Sequence, residues 1–359
     1  MKGRVNMKVA IIGAGLAGLS CAHALENLKI DFNIFEKNLK HNYLEYSICT
    51  LKLQNLFRKD LIKHVKKSMD LKLKPLNELH TIEMYSQNSS FQICGNLGYI
   101  FPRGRFHKNT LEQQIICQLK TPIDYNSYME MDHIKDEYDY IVVATGTSKI
   151  PKKYNLWTNT FSAYTRIGKV VGNCRTDLIK MWFDKDFCKN GFVYLIPNND
   201  KECFVMLIVD NISHEELDFY WKKFLDAIPL NGILVSTFDL YQNTGFMSDL
   251  IHENMIFIGN SSGFCDNFLG FGTMAAIHSG YAAAQHIGNN LDYKEEMEPQ
   301  MKYIKNMNYY RKAIDNMDNK DLDLLISTLD KPLLKRLIYK NPFFHMDTMA
   351  PLLKKFSKK

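Results

Sequence analysis

Short apolar runs, each closed by glycine or a polar turn, punctuate the chain. Between Lys8 and Lys37 the run VAII stops at glycines, LSCAHALENL then repeats apolar positions at helical spacing, and DFNIFE closes on Glu36. A continuous run, a 3.6-residue period and a second run predict strand, helix and strand. YIVVA, ending at Ala144, and MIFIG, ending at Gly259, are strand-sized runs far apart in the sequence. The second leads through a glycine-rich loop into a helix of small residues from about Gly272. Between these runs lie HTIEMYSQ, SFQICGNLGYIF and GFVYLIPNNDKECFVMLIVD. The last predicts a hairpin turning at PNNDKE, with Phe192, Tyr194 and Ile196 on one face. KYIKNMNYYRKAIDNMDNKDLDLLISTL predicts C-terminal helices. The pattern is that of an α/β chain whose Rossmann-like domain is discontinuous in sequence.

The first strand–helix turn carries chemistry. Gly13, Gly15 and Gly18 complete G-x-G-x-x-G where the strand must turn, with Ala14 and Ala17 in the same turn. Gly13 permits the tight turn, Gly15 lets a pyrophosphate approach the backbone, and Gly18 lets the helix pack on the sheet. Free amides at the helix start attract phosphate. Glu36, 18 residues beyond Gly18, is placed to accept hydrogen bonds from the adenosine ribose, with Lys37 beside it. A carboxylate there repels a 2′-phosphate, which points to FAD or NAD rather than NADP. His23 and Cys21, inside the helix, read as packing residues.

Two later stretches fit the same cofactor. The strand YIVVA breaks at Thr145-Gly146, where the chain can pass close to it. Upstream, GYIFPRGRFHKNTLEQQIICQL offers Arg103 and Arg105, whose guanidinium forks suit an FAD phosphate or ribityl hydroxyl; a plain surface role stands beside that reading. From Gly259 to Gly280 the chain reads GNSSGFCDNFLGFGTMAAIHSG, five glycines with one carboxylate. Backbone lying against a planar ring needs such bareness, and Gly270 and Gly272 allow the approach. Phe271 and Thr273 flank the start of the following helix, whose N-terminus can stabilise negative charge on a reduced flavin. Its Ala275–Ala276 and Ala282–Ala284 face is expected to pack closely on the sheet.

This stretch resembles the second FAD fingerprint of the geranylgeranyl reductase-like flavoproteins, a branch of the para-hydroxybenzoate hydroxylase-fold superfamily. Gly259, Gly263, Asp266, Phe268, Gly270, Gly272, Ser279 and Gly280 fall in step with it, and the resemblance extends over most of the chain. The family aspartate that binds a ribityl hydroxyl is Asn260 here, and the family proline beside the isoalloxazine is Asn267. Thr145-Gly146 replaces the Asp-Gly of aromatic hydroxylases. The family's cysteine followed by glycines finds Cys49-Thr50-Leu51. FVYLIP is similar to the aromatic-rich motif that lines the lipid cavity of geranylgeranyl reductases, and more loosely to a flavin halogenase motif whose tryptophans it lacks. A sheet packed under helices is the bland alternative for that segment.

The resemblance implies an FAD-binding domain from 1–75, 103–160 and 245–295, a mixed or antiparallel-sheet substrate domain from 76–102 and 161–244, and a helical region over 296–359. It implies hydride transfer from reduced flavin to a C=C bond of a hydrophobic, isoprenoid-like substrate, in a cavity for which Phe192, Tyr194 and Cys49 are the candidates. NAD(P)H would serve as a transient electron donor, since no second G-x-G-x-x-G is present. A flavin monooxygenase or halogenase, a flavin-binding redox sensor or carrier without turnover, and a plain NAD dehydrogenase are the rivals.

Composition narrows the setting. A chain of 359 residues with 46% hydrophobic and 23% charged residues has enough material for two packed lobes. The formal charge of +6 comes from scattered lysines. Lys63, His64, Lys66 and Lys67 read as a solvated helix face rather than a nucleic-acid patch, and Lys354, Lys355, Lys358 and Lys359 as a tail able to touch anionic lipid at a membrane periphery. Eight cysteines show no zinc-like spacing and no signal-peptide pattern precedes them, so reduced thiols, a cytoplasmic setting and no metal site are expected.

Overall fold

Strands β1 (Val9–Ile12) and β2 (Phe32–Glu36) form on the first two apolar runs and are joined by the helix Leu16–Leu28. The computed structural model describes residues 7–40, 44–52 and 60–339. Along it follow β3 (Tyr46–Leu51), β4 (Asn77–Tyr85), β5 (Ser90–Arg103), β6 (Asp124–Tyr125), β7 (Tyr140–Val143) and β8 (Trp157–Val171). Then come β9 (Leu178–Trp182), β10 (Phe192–Pro197), β11 (Glu202–Asp210), β12 (Ile233–Met247), β13 (Ile251–His252) and β14 (Met255–Phe257).

A six-stranded sheet runs β13-β14-β7-β1-β2-β6, parallel except for β13 against β14. It gathers three distant stretches of chain, because each supplies a run buried on both faces, as parallel strands under helices require. An eight-stranded sheet runs β12-β8-β11-β10-β9-β4-β5-β3 and is antiparallel except where β4 meets β9. The hairpin forms with Phe192 opposite Ile208 and Pro197 opposite Cys203. This mixed α/β architecture, a parallel sheet beside a large half-open antiparallel one, is the para-hydroxybenzoate hydroxylase-like fold.

Two features depart from the sequence pattern. Strand β3, from the stretch grouped with the nucleotide-binding segment, joins the large sheet instead, with Tyr46 opposite Arg103 and Leu51 opposite Gly98. Its residues alternate between the two lobes, which a short mixed run does not reveal. The alanines Ala275 and Ala282–Ala284 of helix Thr273–Asn289 share a core with Val9, Ile11, Val142 and Ile256 of the parallel sheet, and the helix also meets the helix Leu16–Leu28 closely, which the sequence pattern does not show: a Cβ on Gly280 would lie 2.1 Å from the Ala17 carbonyl oxygen.

Alternation on β10 divides the large sheet's packing. Phe192 and Ile196 share one core with Ile82, Ile93, Ile314, Leu322 and Ile326, the last three from the helices Tyr293–Asp315 and Asn319–Leu329. Val193 faces the other way, onto Trp221 and Phe224 of the helix Leu217–Ala227. Burial of Leu322 and Ile326 contributes roughly 3–6 kcal/mol. Asp318 and Asp321 add a capping box, so this helix is docked firmly over the candidate substrate face.

The helix Leu61–Met69 buries Leu61, Val65 and Met69 and leaves Lys63, Lys66 and Lys67 in solvent. The lysines of the basic tail lie outside the described residues. Among the described residues no helix is long and apolar enough to cross a membrane, and the eight cysteines are free thiols.

Candidate cofactor and substrate site

The three glycines of the first turn do different work. Gly13 sits at φ +108, and a Cβ there would lie 2.4 Å from the Ala144 carbonyl oxygen. A Cβ on Gly18 would lie 2.0 Å from the oxygen of Gly13. On Gly15 it would meet no heavy atom within 4 Å. Gly13 and Gly18 therefore serve the chain's own packing, whereas Gly15 opens onto space. Gly15 is also the N-cap of helix Leu16–Leu28, with no side-chain cap bond. The first-turn amides are thus left without a side-chain cap beside the open space at Gly15, where an anion can reach them.

Glu36 ends β2 beside that turn. Its carboxylate accepts from the amides of Ala14 at 3.1 Å and Asn38 at 2.9 Å, and from Arg105 Nη2 at 2.8 Å. Arg105 Nη2 also donates to the Ala14 carbonyl at 2.7 Å. Burial alone would push the Glu36 carboxyl up; Arg105 and the donated hydrogen bonds outweigh it and hold it below the usual carboxylate range. Arg105 is thus a buried brace between the glycine turn and the Glu36 carboxylate. Arg103 turns elsewhere, onto buried Glu112 and across the Tyr46 ring. Lys37 is exposed just beyond β2. Sequence reasoning missed Tyr125, which stands opposite Glu36 in register, its ring centroid 5.7 Å from the Arg105 guanidinium carbon. A two-residue strand carries no periodicity to flag it.

The second and third segments meet through Ser261, also missed. Its hydroxyl accepts from the Gly146 amide at 3.0 Å and lies 3.2 Å from Thr145 Oγ1. Gly259 abuts the first turn: a Cβ on it would stand 2.8 Å from the Ala17 methyl. Asn260 is exposed, its Oδ1 3.2 Å from where a Gly272 Cβ would be. The loop beyond is built around Asp266, whose carboxylate accepts from the amides of Phe268, Leu269 and Phe271 at 2.7–3.0 Å. Burial pushes that carboxyl up against the pull of these amides. Asn267 Nδ2 donates to Asn308 of the helix Tyr293–Asp315 at 2.7 Å, and Phe268 stacks on Tyr310 of the same helix. Gly270, Phe271, Gly272 and Thr273 then lead into the helix Thr273–Asn289, which also starts without a side-chain cap.

This loop faces the large sheet. Phe268, Leu269 and Phe271 pack on the core that holds Cys49, Phe192 and Tyr194. Phe192 and Tyr194 stack at 5.8 Å between centroids. Burial pushes the Cys49 thiol up to about 12 and raises the Tyr194 phenol well above its ordinary value, with Cys49, Tyr46 and Cys265 adding to the latter. Both side chains keep their protons at neutral pH. A narrow cleft of about 50 Å³ opens at the junction, lined by Thr50, Lys52, Tyr99, Gly272, Thr273 and Tyr303 among others. Thr50, which lines that cleft and whose buried hydroxyl has no partner among the described residues, the space over Gly15 and the uncapped starts of these two helices together fit a long dinucleotide cofactor carrying a polar ring.

Residues 7–162 match the family described as pyridine nucleotide-disulphide oxidoreductase. Over nearly its whole length the chain is similar in fold to solved flavoproteins. A geranylgeranyl bacteriochlorophyll reductase-like protein from Thermoplasma acidophilum superposes with a TM-score of 0.72 at 13% identity, covering 98% of each chain. A flavoprotein/dehydrogenase from Cytophaga hutchinsonii gives 0.63 at 14% identity, over 98% of this chain and 100% of the other. A flavin-dependent brominase gives 0.65 at 12% identity, over 98% and 99%. At such identities the likeness speaks for the fold.

Proposed function

We propose that this chain, an FAD-dependent oxidoreductase by fold, reduces a carbon–carbon double bond in a small hydrophobic, isoprenoid-like substrate. The observation that carries the reading is the meeting of the glycine-rich loop with an apolar sheet face: Phe268, Leu269 and Phe271 close on Cys49, Phe192 and Tyr194. A site so poor in charge suits an apolar substrate and excludes water from its reacting bond.

Glu36 would take the adenosine ribose, the bare start of helix Leu16–Leu28 the pyrophosphate, and the Thr145-Gly146 turn, braced by Ser261, the middle of the cofactor. Asn260 and the Gly270–Thr273 segment would hold the ring end. FAD bound there supplies hydride transfer, with NAD(P)H as a passing electron donor. Tyr194 is the residue this reading assigns to hold a proton near the substrate, since burial keeps its phenol neutral. Phe192, stacked against it, fixes its orientation.

The test is anaerobic incubation of reduced, FAD-loaded protein with geranylgeraniol and geranylgeranyl diphosphate, read by mass spectrometry. Gain of hydrogen pairs in the prenyl chain supports the reading. A product that gains oxygen or halogen only when air or halide is admitted favours the monooxygenase or halogenase rival. A bound flavin that reductants and alkenes never cycle favours a sensor or carrier.

A further inference from the structure

Strand β3 lies at the edge of the large sheet, and its two faces serve different lobes. Cys49 and Leu51 pack on the apolar core of the substrate face. Thr50, between them, lines together with Leu51 the cleft where helix Thr273–Asn289 begins. Thr50 is 7% exposed, and its Oγ1 has no hydrogen-bond partner among the described residues. A buried hydroxyl left unpaired is costly, and such groups point to a partner beyond the described residues.

The surroundings define that partner's chemistry. The first turn of the helix, Thr273–Met274–Ala275, lines the same cleft, and Gly272 at its N-cap offers no side-chain bond. Lys52 stands at the cleft with its Nζ 5.8 Å from the Tyr99 ring centroid. The nearby carboxylate of Asp60 is already engaged by the Tyr99 hydroxyl and the Lys63 amide. Among the described residues no acidic side chain lines the cleft itself. Donors and positive potential converge from a strand and a helix on a narrow slot. That suits the edge of a flat, electron-rich ring bearing carbonyl groups.

We propose that Thr50 binds the polar edge of the flavin ring, donating its Oγ1 proton to a ring carbonyl opposite the amides of the Thr273–Asn289 helix start. This rests on the reading that the chain binds FAD. The consequence is electronic as well as positional: a donor at the ring's carbonyl edge stabilises the reduced, more electron-rich form.

The experiment compares wild type, Thr50→Val and Thr50→Ser. FAD affinity is read by quenching of flavin fluorescence, midpoint potential by equilibration with redox dyes, and apoprotein stability by thermal melting. Valine keeps the shape and removes the donor. Expected are an affinity about tenfold weaker, a lower midpoint potential, an apoprotein melting no lower than wild type, and recovery of both flavin properties in Thr50→Ser. Thr50→Ala carries the same test if the valine variant does not fold. A Thr50→Val protein that binds FAD within about twofold of wild type, at an unchanged potential, overturns the role of Thr50 alone. A folded wild type that takes up no FAD overturns the cofactor reading beneath it.

Discussion

Arg105 holds one guanidinium nitrogen 2.8 Å from the Glu36 carboxylate, and both side chains are almost wholly buried. The same nitrogen donates to the Ala14 carbonyl, so one side chain ties the phosphate turn to the end of β2. Glu36 and the glycine turn are therefore positioned as a unit, from a loop that follows β5 of the other sheet.

Removing the brace should leave a buried carboxylate with its amide donors alone. Arg105→Met is expected to destabilise the protein by about 3–5 kcal/mol, the usual result of breaking a buried pair from one side. The sign of the pH effect follows from the depressed carboxyl. In wild type this carboxylate stabilises the fold above its ordinary value of 4.5, and the contribution is lost as pH falls from there through the lower native value. Without Arg105 the native carboxyl rises, so acid unfolding should begin at higher pH. Melting temperature against pH, for both proteins, checks this; parallel curves would remove Arg105 from the argument.

Gly15 and Gly18 should respond oppositely to one added methyl group. Gly18→Ala drives a Cβ to 2.0 Å from the Gly13 oxygen and should cost about 3 kcal/mol of stability. Gly15→Ala meets nothing, at an extended backbone that alanine adopts freely, so the melting temperature should hold or rise slightly. Its methyl group nevertheless enters the space proposed for the pyrophosphate, and FAD affinity should fall about tenfold or more. Melting curves beside FAD titrations separate the two effects. Equal loss of stability in both variants would mean that Gly15 is a packing glycine too.

Much of this arrangement is written in local sequence. The strand–glycine–helix–strand unit to Glu36 and the hairpin around PNNDKE follow from period and turn chemistry, which act over a few residues. The course of β3 does not, because its alternation has meaning only once two lobes stand on either side of it. Ser261 and Tyr125 were silent for a similar reason: a serine in a glycine-rich loop and a tyrosine on a two-residue strand acquire partners only in three dimensions. Arg103 and Arg105 show the same limit. Two residues apart, they look alike in sequence, yet one turns to Glu112 and the other to Glu36.

The most direct measurement is FAD binding by the purified apoprotein, followed by absorbance and by quenching of flavin fluorescence. Two distant glycine segments that close on helix Leu16–Leu28 predict saturable uptake of one FAD per chain, with a yellow product that survives gel filtration. A chain that is folded by circular dichroism, remains colourless and leaves added FAD free in solution would contradict that claim.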